Sequence, residues 1–228
     1  MKTMNKEPQE KVAKVRKVTD GAIRNKARTK RKLLDAVGEV LRTKGYTGLT
    51  IRNIIETAGV DRRLIYLYFG GVDQLIETYL NEKDYWMSQI SPKTQAIMEA
   101  ADSFGQNEIT AILHTMFDEV FQSADLQKIL NWEISEFQPR LRELADNREE
   151  LGKHLFKLTD AHFAKTDINL RAVMAIQIAG IYYLILHALS NGSTFCEVDL
   201  NAPKGRKAIK TALAKVMEMV YREAESQK

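Results

Sequence analysis

The stretch Glu56–Leu75, ETAGVDRRLIYLYFGGVDQL, decides how the whole chain is read. Gly59 supplies a sharp turn, Asp61 offers a cap, and Gly70-Gly71 is a helix stop, so the residues between cap and stop form a very short helix. Ile65 and Phe69 lie one turn apart and face inward. That leaves Arg62 with Tyr66, and Arg63 with Leu67, on the other faces. Upstream, Thr50 offers a second cap, and Ile51, Ile54, Ile55 and Ala58 come after it at the spacing of one buried face. Further upstream, Thr29–Lys44 reads as an amphipathic helix with an apolar stripe at Leu33, Val37, Val40 and Leu41, closed by Gly45. Three short helices with a tight turn between the second and third make a helix-turn-helix unit.

The side chains left outside that unit suit double-stranded DNA. A groove-reading helix needs donors near its N-terminal end, and an arginine there can fork onto guanine O6 and N7. Arg62 and Arg63 are the candidate readers. Tyr66 and Tyr68 carry hydroxyls that bond phosphates and fix register without reading sequence. Leu67 suits a thymine methyl or sugar carbons. Taken singly, two arginines and two tyrosines describe a wet face and a half-buried core. The caps, the glycine turn and a basic flank together favour DNA.

Residues 33–80 resemble the DNA-binding domain of the TetR family of bacterial transcriptional regulators. The matching run is KGYTGLTIRNIIETAGVDRRLIYLYF, with Gly-Tyr before the Thr cap, Ala-Gly-Val across the turn and Tyr-x-Tyr-Phe at the end of the recognition helix. The resemblance implies phosphate contacts by Thr50, Tyr66 and Tyr68 and base contacts by Arg62 and Arg63. Two positions depart from the family pattern. Val72 stands where a phosphate-touching lysine is usual, and Asp61 where a small hydroxyl residue is common.

Composition agrees with a DNA-binding end on a larger body. Residues 1–32 hold 12 Lys/Arg against three Asp/Glu, and the remainder holds 22 against 27, so a basic terminus precedes an acidic body. Arg24, Lys26, Arg28, Lys30 and Arg31 are placed to reach the DNA backbone or minor groove. The single cysteine, Cys196, excludes an internal disulfide framework and fits a reducing cytoplasm. No secretory leader is read at the N-terminus. The apolar run Val173–Leu189 is 17 residues long and contains Gln177 and His187, which argues for a buried helix rather than a membrane span.

The rest of the chain continues in helical periods: Asp73 to about Gln89, Pro92 to near Ser103, Asn107–Gln122, Asp125–Phe137, Pro139–Phe163, Asn169–Ser190 and Pro203–Ala224. A lone module makes few contacts, so a homodimer is expected. Its interface is assigned to Ile178, Tyr182, Ile185 and Leu189 of the apolar helix and to Leu213 and Met217 of the last helix, giving a four-helix bundle as the resemblance also implies. The resemblance further implies an apolar effector pocket between module and bundle. Trp86, His114, Phe117, Phe121, Trp132, Glu136 and Tyr183 are its candidates, drawn from a wider set that includes Phe104, Met116, Glu133, Phe156 and His162.

His154 and His162 are eight residues apart, a poor metal pair, and no metal or cofactor is expected. No nucleophile with its base and no phosphate-cradling glycine loop is present, so no enzyme activity is expected. The sequence therefore reads as an all-α protein. Residues 1–26 form a basic arm, 27–72 the three-helix helix-turn-helix DNA-binding module, and 73–228 a larger helical domain for effector binding and dimerisation. The function expected is a ligand-responsive transcriptional repressor that binds a palindromic operator and is released by a small, largely apolar effector. The competing reading is a non-enzymatic helical protein acting through protein–protein binding.

Overall fold

The computed structural model describes residues 22–83 and 104–228, with residues 92, 96, 97 and 99 between them. Among these residues there are nine α-helices and no strand; one isolated bridge pairs Phe195 with Val198. In chain order they are α1 (Ala22–Lys44), α2 (Ile51–Ala58), α3 (Arg63–Phe69), α4 (Val72–Glu82), α5 (Gln106–Gln122), α6 (Ala124–Ser135), α7 (Pro139–Phe163), α8 (Leu170–Asn191) and α9 (Pro203–Ser226). The expected helix beyond Lys83 and most of the one opened by Pro92 lie outside the described residues, as does Trp86.

The boundaries obey local chemistry. Thr50 accepts the backbone N–H of Asn53 at 3.2 Å and starts α2, while Gly59, at φ 63°, closes it in a left-handed turn that a side chain would resist. Ser123, Gln138 and Asn169 cap α6, α7 and α8 in the same way, each side-chain oxygen accepting a backbone N–H of the first turn. Helix α1 starts seven residues before the expected Thr29, so Lys26 and Arg28 stand on a helix rather than on a free arm.

Two apolar cores organise the chain. The first gathers Leu33, Val37 and Leu41 of α1, Ile54 of α2, Ile65 of α3 and Leu75, Tyr79 and Leu80 of α4. It does not stop at residue 72. Ile129 and Trp132 of α6 and Leu141 and Leu144 of α7 complete it, and the Trp132 indole stacks on Tyr46 with ring centres 5.8 Å apart. Asp125, at the start of α6, receives Arg42 at 2.6 Å and Lys83 at 2.8 Å. Burial opposes ionisation of this carboxyl, but hydrogen bonds from Lys83 and Arg42 outweigh burial and hold its pKa below the ordinary value. The module is thus fastened to the body by a shared apolar core, the Trp132–Tyr46 stack and the three-way ionic joint at Asp125.

The second core lies among α5, α6, α7, α8 and α9. Ile185, Leu213 and Met217, assigned from sequence to a partner-facing surface, are buried inside it. Side chains packed within one chain have no surface to give a partner. The apolar residues left exposed on this helix pair lie on other faces: Ile176 at 75%, Tyr183 at 54%, Met219 at 46% and Leu189 at 42% of full exposure. Helix α8 runs 22 residues, longer than its 17-residue apolar run, and is long and apolar enough by length and composition to cross a membrane. Length therefore does not exclude a span. What places the helix in the fold is its packing, with Met174, Ile181, Ile185 and Ala188 in the chain's own core.

Candidate DNA-binding face and effector cavity

Helix α3 buries only Ile65 completely. Asp61 caps it, accepting the N–H of Arg63 at 2.7 Å on its side chain and the N–H of Leu64 at 3.0 Å on its carbonyl. The cap leaves Arg62 and Arg63 exposed side by side at the N-terminal end, with Tyr66 and Leu67, 47% and 70% exposed, one turn further along. The Arg62 guanidinium donates to the Tyr66 hydroxyl at 3.2 Å and lies 5.7 Å from that ring's centre, so its direction is set before any ligand arrives. Tyr68 is half-buried. Thr50 is exposed at the start of α2, its hydroxyl oxygen already engaged as the cap.

Helix α1 adds cations beside the far end of α3. Lys26 sits 5.7 Å from the Tyr68 ring centre and Lys30 sits 5.3 Å from that of Phe69. Arg31, expected to face DNA, instead donates to Asp35 and Glu82, each at 2.8 Å, and ties α1 to α4. Val72 packs half-buried against the module core. The position that departs from the family's lysine is thus used for packing.

A cavity of about 280 Å³ opens in the body among α5, α6, α7 and α8, just below the ~300–1,000 Å³ usual for small-molecule sites. Its walls are mainly apolar, including Phe104, Met116, Phe156 and Met174. Its polar part is compact. Arg148 of α7 holds both carboxylate oxygens of Glu133 of α6, each at 2.6 Å, with both side chains largely buried. Tyr182 of α8 lies within the influence of both and of Glu149; burial, opposed by the Arg148 guanidinium and aided by the two carboxylates, pushes its hydroxyl well above the usual phenol range.

None of the described residues nominated from sequence for the pocket lines this cavity. The His114 ring meets the Lys210 carbonyl at 2.8 Å, and Phe121 lies under the Arg206 guanidinium, both on a separate outer groove. Phe117 is core. Trp132 belongs to the module core and donates its indole N–H to Glu136 at 2.8 Å. Tyr183 is exposed and packs on His187 and Phe195. Conversely Ile178 and Tyr182, assigned to the dimer surface, line the cavity, as do Phe104, Met116, Phe156 and Glu133 of the wider set. Sequence reading missed Arg148 and Thr159. Their trace was a stripe on α7 at 145, 148, 152, 155 and 159, which keeps one helical face toward the cavity. Among the described residues no group of three or more His, Cys, Asp or Glu side chains is positioned to hold a metal ion.

Residues 33–79 match the family model of bacterial regulatory proteins, tetR family. No curated protein sequence matches the chain. Among solved structures, a TetR family transcription regulator from Marinobacter aquaeolei aligns at TM-score 0.60 and 15% identity, covering 84% of this chain and 97% of that one. The transcriptional regulator FadR from Bacillus subtilis, solved with stearoyl-CoA, aligns at TM-score 0.56 and 16% identity, over 82% and 96% of the two chains. NalD, a repressor of a multidrug efflux pump in Pseudomonas aeruginosa, aligns at TM-score 0.55 and 18% identity, over 86% and 96%. At these identities the likeness is one of fold.

Proposed function

The chain carries a tetR-family DNA-binding module on the fold of that family's regulators, and from that premise we propose a ligand-responsive repressor that binds a palindromic operator as a homodimer. The observation that carries this reading is the face of α3, where Arg62, Arg63, Tyr66 and Leu67 are turned to solvent together behind a capped N-terminus. In this reading Arg62 and Arg63 enter the major groove and read guanine edges, each worth roughly 1–3 kcal/mol of discrimination. Tyr66, Tyr68 and Thr50 hold phosphates, and Leu67 touches a thymine methyl. Residues 27–72 act as the reader, led in by the helical start of α1, and residues 73–228 hold the partner and the effector.

The partner surface in this reading is the outer face of α8 and α9. Helix α8 is strongly apolar, yet only 28% of its most apolar stretch is buried within one chain. A second copy laying its own α8 and α9 over Ile176, Tyr183, Leu189 and Met219 covers that surface and sets two α3 helices at a fixed separation. The effector is small and largely apolar and enters the cavity of α5–α8. A protein of this fold solved with stearoyl-CoA supports a small-molecule effector here without naming it. Adjacent residues of α6 couple the two regions: Trp132 stacks on Tyr46 of the module while Glu133 lines the cavity. An effector that favours a shifted α6 favours a different module spacing and releases the operator by population shift.

The test is a mobility-shift assay of the full chain with the DNA flanking its own coding region. Retention of a near-palindromic fragment, lost on R62A/R63A while sedimentation still reports a dimer, is the expected result. Failure to retain any fragment at low salt ends the regulator reading.

A further inference from the structure

The polar end of the cavity is closed on itself. Arg148 holds both carboxylate oxygens of Glu133 at 2.6 Å, and side-chain exposures of 15% and 22% put the pair largely out of water. The pair is neutral as a whole and favours neither sign of charge. An anion that took Arg148 would strand Glu133, and a cation that took Glu133 would strand Arg148. Breaking a buried pair in this way leaves an uncompensated charge and is strongly unfavourable. Glu149 does not tip the balance, because it is exposed at the rim, where solvent screens it. The other polar side chains of the described wall carry no charge: the Thr159 hydroxyl donates to the Phe156 carbonyl at 2.9 Å, and Tyr182 presents a neutral phenol. Around them Ile109, Ile112, Met116, Leu155 and Ile178 offer nothing to replace the water an ion would lose. An uncharged ligand enters without opening the pair. A hydroxyl on such a ligand can donate to Glu133, since a carboxylate has about four acceptor positions and Arg148 occupies two.

We propose that the cavity among α5, α6, α7 and α8 takes an uncharged, mostly apolar molecule of the alcohol or phenol class, and that the Glu133–Arg148 pair is the filter that turns away ions of either sign. The assignment rests on the reading of this cavity as the effector site. Each half of the pair guards against one sign: Arg148 keeps Glu133 from a cation, and Glu133 keeps Arg148 from an anion.

Calorimetric titration of the full chain with three matched probes tests it: 3-phenylpropan-1-ol, 3-phenylpropylammonium and 3-phenylpropionate. The alcohol should bind about tenfold or more tightly than either ion. Glu133→Gln should raise affinity for the carboxylate by about tenfold and leave the ammonium excluded, and Arg148→Met should do the reverse. A cavity that is merely apolar would refuse both ions in all three proteins. For a variant too unstable to titrate, the rise in melting temperature with each probe gives the same order. Equal or tighter binding of either ion by the parent chain overturns the proposal, and that comparison needs no variant. So does refusal of both ions by both single variants, or no binding of the alcohol at millimolar concentration. A mobility shift on the same samples separates the two readings. Intact DNA retention with the wrong probe order removes only the ligand assignment, and the expected probe order without DNA retention removes only the regulator.

Discussion

The face of α3 and the cavity of α5–α8 are built by opposite means. The first is local: seven helical residues, a cap two positions upstream and a glycine at the C-terminal end bring its side chains to one surface. The second is assembled from four helices whose contributing residues span positions 104 to 182, and its decisive ion pair joins residues 15 apart in sequence. A surface made by one turn and one short helix tolerates changes of side chain without loss of fold. A cavity whose walls are also the core does not. DNA contact and stability should therefore separate cleanly in the first region and move together in the second.

The largest expected effect tests the first half of that contrast. R62A/R63A should cost about 2–6 kcal/mol of operator discrimination, two arginine contacts at 1–3 kcal/mol each. Both side chains are exposed, so the melting temperature should hold within about 2 °C, the range of neutral surface substitutions. Thermal denaturation beside a mobility shift makes the check. A large fall in stability would mean that the α3 face is not the separable surface described.

Trp132 lies where the two regions meet and should obey neither rule. W132A removes a buried indole that stacks on Tyr46, and should cost about 3–5 kcal/mol of stability, as large aromatic truncations do. It should also weaken operator binding, because the stack on Tyr46 helps set the module on the body. Urea denaturation gives the first quantity. Mobility shifts of W132A beside the parent chain give the second.

The same division decides how much was legible in the sequence. Thr50, Asp61, Gly59 and Gly70 act within three or four residues of themselves, so caps, turn and helix limits could be read directly. The arginine-tyrosine face came from helical periodicity once Ile65 and Phe69 were turned inward. The body was legible as helices, and α7 runs over the expected Pro139–Phe163. Its faces were not legible. Helix α8 is apolar nearly all round, so periodicity gives no preferred side, and Ile185 and Tyr183 cannot be told apart as core and surface without the neighbouring helices. The aromatic residues nominated for the pocket were chosen by size, and size alone sends a side chain to any core. Trp132 went to the module and Phe117 to the interior of the body.

A smaller effect probes how tightly α4 is held against the module. A Cβ added at Gly38 of α1 would stand 3.0 Å from both the ring edge and the hydroxyl of Tyr79, which is fully buried and cannot retreat. Overpacking of this kind costs about 1–3 kcal/mol, against roughly 1 kcal/mol gained from alanine's helix propensity. G38A should therefore be neutral to destabilising by about 2 kcal/mol in urea denaturation. A stabilised variant would show that α1 and α4 slide more easily than the packing implies.

The smallest expected effect is the most informative about DNA contact. Val72 begins α4 and packs half-buried on the module core, at the position where the family resemblance implies a lysine. V72K loses part of that packing, but a lysine stem lies along apolar surface with its ammonium in water, so stability should change by less than about 1 kcal/mol. If the start of α4 faces a phosphate, the new charge releases about one more counterion, and the plot of log affinity against log salt should steepen by about 0.9. Sequence preference should not change, because a phosphate contact positions without reading. An unchanged slope would mean that the start of α4 stands off the backbone, leaving Lys26 and Lys30 as the cations that flank α3 on this side. The same titration on K26A and K30A would then show slopes shallower by about 0.9 for each one that reaches a phosphate.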